Sequence, residues 1–100
     1  MKTILIAAVV TLIVGSANAE TYTYMCKVGS KSYPVTVNET MNGGTISWRG
    51  TIFENLELEE GCKVNFVATK NGVKAELCAA TKGYADLTIG KAMFNCQMKQ

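Results

Sequence analysis

Residues 62–78 constrain the fold more than any other stretch: two alternating segments flank Asn71-Gly72, and a cysteine, Cys62 or Cys78, stands near each end. Asn-Gly tolerates the positive φ angles of a type I′ turn, whose twist matches that of paired strands. The stretch therefore reads as a β-hairpin. Cys62, Val64, Phe66 and Ala68 share one side of its first arm, and Val73, Ala75 and Leu77 answer from the second. The polar tip, Thr69, Lys70, Asn71 and Gly72, is a candidate contact loop whose base is held by strands and a disulfide. Residues 73–80, rich in Ala, Leu, Glu and Lys, also suit two turns of helix, which is the competing reading of the second arm.

The same period of two extends along the chain. Tyr22, Tyr24, Cys26 and Val28 form one face of a first strand, and Tyr33, Val35 and Val37 one face of a second. Pro34 cannot donate to a ladder, which places the second strand at a sheet edge or at a bulge. Residues 38–44 have the composition of a loop. Residues 45–53 read as one strand with Ile46, Trp48 and Ile52 on its apolar face and Gly50 as a bulge or kink. Leu56 and Leu58 alternate with Glu57 and Glu59 in a short fourth strand. Beyond the hairpin, Ala85, Leu87 and Ile89 make one more face, and Ala92, Phe94, Cys96 and Met98 the last. Seven to eight short strands with turn signals between them predict an all-β fold, a small antiparallel barrel or sandwich.

The start of the chain sets its compartment. Met1-Lys2-Thr3 is followed by an apolar run at residues 4–14 and by Ala17-Asn18-Ala19, the pattern of a signal peptide covering residues 1–19. The run is far shorter than the roughly 20 apolar residues that cross a bilayer, so no stable membrane insertion is expected after cleavage. Residues 20–100 would then form a single periplasmic or secreted domain. A domain of that size buries a modest core and gains from covalent bracing. Cys26, Cys62, Cys78 and Cys96 all lie in it, an even count that predicts two disulfides in an oxidising space.

Geometry narrows their pairing. In a meander, the strands carrying Cys78 and Cys96 flank a common neighbour and lie roughly 9.6 Å apart, beyond the reach of a disulfide. Cys26 with Cys96 would tie the first strand to the last. Cys62 with Cys78 would staple the hairpin, provided Cys62 occupies a bulge or a loop, because the Asn71-Gly72 register sets the two diagonally.

Charge and chemistry exclude more than they select. Without Lys2, nine basic residues face eight acidic ones, a balance unlike that of nucleic-acid binders, which concentrate Lys and Arg on one face. There is no histidine, the usual general base near neutral pH, and hence no ordinary nucleophile–base triad. With no histidine and no close cysteine pair, neither a metal site nor a cofactor is expected. Glu54, Glu57, Glu59 and Glu60 are the densest charge feature. They are either the carboxylates of a small hydrolase or, since Glu57 and Glu59 project from one exposed side, a solvated face able to dock a basic partner. Trp48-Arg49-Gly50 could supply a ligand contact, although Trp48 falls on the apolar face.

With Tyr24-Met25-Cys26 in the first strand, Trp48-Arg49-Gly50 in the middle and Cys96 close to the end, the chain resembles the bacterial inhibitors of C-type lysozyme. The resemblance implies a small periplasmic or membrane-attached β-barrel that inserts a loop into the lysozyme cleft. That family's Ser-Gly and Tyr loop signature has no counterpart here, so its inhibitory residues are not carried over. The expectation is an exported, non-enzymatic protein that binds a protein partner in the cell envelope. The competing expectations are the carboxylate hydrolase and a structural or stress-related envelope protein.

Overall fold

The computed structural model describes residues 20–99; the expected signal peptide lies outside them. The described residues form eight strands: β1 (Glu20–Val28), β2 (Lys31–Thr40), β3 (Gly43–Trp48), β4 (Thr51–Glu59), β5 (Val64–Lys70), β6 (Val73–Ala79), β7 (Tyr84–Ile89) and β8 (Ala92–Met98). Each pairs antiparallel with the next and β8 pairs with β1, which closes the sheet into an up-and-down barrel. Eight strands enclose a space that side chains alone can fill. Ile46, Leu77, Leu87, Val35, Val37 and Cys26 do so with essentially no exposure, one inward residue alternating with one outward along each strand.

Closure is the thinnest part of the wall. β1 meets β8 only through Tyr24–Met98, Met25–Gln97 and Cys26–Cys96, with Lys99 N–H donating to the Thr23 carbonyl at 3.0 Å beyond them. Cys26 and Cys96 stand directly opposite each other with Cα atoms 4.0 Å apart, and their disulfide lies inside the barrel. Cys62 occupies the β4–β5 connection, and its disulfide to Cys78, with Cα atoms 5.6 Å apart, lies on the outer wall. Both pairings are those expected, and the loop position of Cys62 removes the register conflict. Disulfides of this kind belong to proteins that fold in an oxidising compartment.

The second hairpin arm is the expected strand and not the competing helix: cross-strand pairing of Ala75 and Leu77 with Ala68 and Phe66 overrides local helix propensity. Three local expectations are corrected. Pro34 is on no edge, because the barrel has none. Its partner Met25 and the end of the β2–β3 ladder at Val35–Trp48 leave its missing N–H directed at a position where no strand follows. Residues 38–44 are two strand ends joined at Met41-Asn42, and Gly44 belongs to β3. A Cβ on Gly44 would overlap the Asn38 carbonyl, so only glycine permits this approach of β2 and β3.

The third correction bears on function. Residues 45–53 are two strands joined by a tight turn at Arg49-Gly50, with Trp48 opposite Thr51. The turn shifts the alternation, so Ile52 faces outward and is 49 % exposed while Trp48 stays in the core. The bulge sits instead at Asn55 in β4, at φ 59°, where the register slips between Glu54 and Glu57.

Candidate functional site

In an up-and-down meander alternate turns emerge at the same end. Gly29-Ser30, Arg49-Gly50, Asn71-Gly72 and Gly90-Lys91 are the four two-residue links of one end, which we term the tip face. Each carries or adjoins one exposed cation: Lys31, Arg49, Lys70 and Lys91. No Asp or Glu occurs in residues 28–31, 48–51, 70–73 or 89–92. Three lysines that look scattered along the sequence thus stand at one end of the barrel, with the arginine among them.

The turn chemistry makes this face stiff. Arg49 and Gly50 adopt φ of 47° and 89°, Asn71 and Gly72 φ of 51° and 81°, the positive pairs of type I′ hairpins. Asn accepts this conformation readily, whereas an ordinary L-residue such as Arg gives up roughly 1 kcal/mol. The Arg49 guanidinium lies over the Tyr33 ring, 4.1 Å from its centroid, and an exposed cation–π contact returns about 0.5–1 kcal/mol. The two effects nearly cancel. Tyr33 is itself held edge-on by Trp48 at 6.5 Å, and Trp48 packs on Phe94 at 5.2 Å. An exposed charge is thereby seated on an aromatic stack anchored in the core.

Between the two hairpins lies a largely polar hollow of about 500 Å³ lined by Gly50, Ile52, Glu54, Asn55, Thr69, Lys70 and Asn71. The hollow brings Thr69, Lys70 and Asn71 of one tip to Gly50 of the other, whereas the Arg49 side chain turns away from it over Tyr33 on β2. Trp48 contributes from beneath, as core, and presents no contact surface of its own.

Glu57 and Glu59 lie elsewhere, toward the opposite end of β4 on the outer wall. Glu59 Oε1 is 3.9 Å from Lys74 Nζ, which is also 3.9 Å from Glu76 Oε1. Glu76 in turn accepts a hydrogen bond from the buried Asn65 amide at 2.7 Å. These groups form an outer-wall polar cluster beside the Cys62–Cys78 disulfide. The sequence reading missed Lys31 and Lys91; the signal available was a cation at every odd-numbered turn, visible only once Arg49-Gly50 is recognised as a turn.

Among the described residues no group of three or more His, Cys, Asp or Glu side chains is placed to hold a metal ion, and no helix is long and apolar enough to cross a membrane. Compared with protein-family models, curated proteins and solved structures, the chain gives no significant match.

Proposed function

We propose that this is an exported, non-enzymatic binding protein of the periplasm or the extracellular space, and that it engages a protein partner through the tip face. The observation that supports this reading is that Lys31, Arg49, Lys70 and Lys91 all stand on short hairpin links at one end of the barrel, with Lys70 beside a polar hollow. Rigid tips lose little conformational entropy on docking, and arginine is among the residues enriched at the energetic centres of interfaces. The complementary surface is an anionic cleft. A cell-wall glycosidase has one, since its reaction requires a pair of carboxylates flanking the scissile bond. Inhibition of a C-type lysozyme is accordingly the most concrete form of the proposal.

The test is a titration of cell-wall lysis with the oxidised exported protein. Stoichiometric loss of lysis, weakening steeply as salt rises from low to physiological strength, is the expected result. Unchanged lysis at a large molar excess would rule out lysozyme as the partner. A hydrolase built on Glu54, Glu57, Glu59 and Glu60 has less support, because Glu57 and Glu59 are exposed on the outer wall and Glu59 is ion-paired to Lys74. Any such activity should vanish on changing Glu57 and Glu59 to Gln.

A further inference from the structure

The opposite end of the barrel holds a chemically different concavity of about 380 Å³. Its base is made by the buried Tyr24, Phe66 and Ala79, and its wall includes Tyr22, Leu58 and Met98. Leu58 is level with the inward Phe66, and Met98 with the inward Tyr24. Both therefore point into the barrel, yet they are 59 % and 42 % exposed, because among the described residues the core is left open above them. Large apolar groups lining a concave mouth in contact with water are the usual composition of a small-molecule site, and barrel mouths are a usual place for one.

The rim adds polarity in two opposed arcs. Lys63 follows Cys62 and is tethered through the disulfide to Cys78 on β6. Lys82 sits in the 3₁₀ turn Thr81–Gly83 at φ 63°, next to a link in which Ala80 N–H donates to the Tyr84 carbonyl at 2.7 Å. Both lysines line the cavity, and the ion pairs among the described residues involve Lys74 rather than either of them. Across the mouth, Glu39 lines the same cavity; it is the cross-strand neighbour of Glu20, which accepts a hydrogen bond from the Tyr22 hydroxyl at 2.5 Å. The acidic arc disfavours approach to an anionic bilayer, while the lysine arc offers two unpaired donors to a small anion.

We propose that this mouth binds a free, single-chain amphiphile with a carboxylate head, its tail among Tyr22, Leu58, Phe66 and Met98 and its head between Lys63 and Lys82. The volume is near the lower end of the roughly 300–1,000 Å³ typical of ligand sites, which suits one chain of medium length and not a two-chain lipid. The inference is independent of the tip-face reading, since the two sites share no residue.

Decanoate, below its micellar concentration, is the probe, titrated into the oxidised exported protein by calorimetry and by NMR. The expected result is saturable one-to-one binding, with resonance shifts centred on Tyr22, Leu58, Val64, Phe66 and Met98. Decyltrimethylammonium should bind at least tenfold more weakly. Changing Lys63 and Lys82 to Gln should weaken decanoate at least tenfold, and Leu58→Asp, at a half-exposed position and checked for folding by its NMR spectrum, should do so independently. Vesicles of anionic phospholipid should not sediment the protein. Absence of saturation, equal affinity for the two head groups, shifts centred on the tip face, unchanged affinity in both variants, or sedimentation with vesicles would overturn the proposal.

Discussion

The hairpin tips at Asn71-Gly72 and at Arg49-Gly50 have the same backbone and opposite sequence logic. Both place two residues at positive φ between directly paired strands, Lys70 with Val73 and Trp48 with Thr51. At Asn71-Gly72 local preference and fold agree, and the turn would form with little help. At Arg49-Gly50 the fold imposes a conformation that arginine does not favour, and an aromatic stack of Tyr33, Trp48 and Phe94 beneath the side chain offsets the strain. Where a backbone outlier persists only because its surroundings hold it, the inference runs toward a functional reason for the side chain. Arginine at this turn is better explained by what it presents than by how it folds.

The largest effect that would break the comparison lies under the arginine tip. Trp48→Ala removes the buried base of the stack and should lower stability by about 3–5 kcal/mol, measured by denaturant unfolding. A loss below about 1 kcal/mol would mean that the tip does not depend on the stack. Next comes the staple of the other hairpin. Replacing Cys62 and Cys78 with Ser should cost about 3 kcal/mol from the lost loop constraint, while the Asn71-Gly72 turn keeps its cross-strand NMR contacts, because the disulfide lies at the far end of β5 and β6. Loss of those contacts in the folded variant would show that the turn is not self-sufficient.

Smaller effects sharpen it. Asn71→Arg places arginine at a type I′ position with no tyrosine identified beneath it, and should destabilise by about 1 kcal/mol. The converse, Arg49→Asn, relieves the same strain but forfeits the cation–π contact, so stability should change by less than about 1 kcal/mol. Tyr33→Leu keeps much of the apolar contact and loses the ring quadrupole, and should lower stability by no more than about 1 kcal/mol while broadening the Arg49 side-chain resonances. A sharp, unshifted Arg49 signal in that variant would contradict the seating described here.

Much of the architecture is legible in the sequence because it rests on alternation, which a closed barrel preserves almost unbroken. Val35, Val37, Ile46, Leu77 and Leu87 are inward where the period of two puts them. The disulfide pairing is legible for the same reason, since spacing between neighbouring strands excludes Cys78 with Cys96. The β3–β4 boundary is not, because Arg-Gly lacks the local signature of a type I′ turn and the stabilising contact, Tyr33, lies on another strand. That one omission moved Ile52 from the outside to the core and hid the convergence of the tip cations. The mouth cavity is also invisible locally: Leu58 and Met98 alternate like core residues, and their exposure arises only from where the barrel ends.

In the proposed binding role, Arg49 serves contact with the partner and not folding. The direct measurement is to take Arg49→Asn together with Lys70→Asn, determine the melting temperature of the oxidised protein, and titrate it against C-type lysozyme in the lysis assay beside the unaltered protein. The expected result is a melting temperature within a few degrees of the original and inhibition weakened at least thirtyfold, the loss of about 2 kcal/mol that defines an interface hot spot. Inhibition by the unaltered protein that survives undiminished in the double variant would contradict the assignment of the tip face as the binding surface.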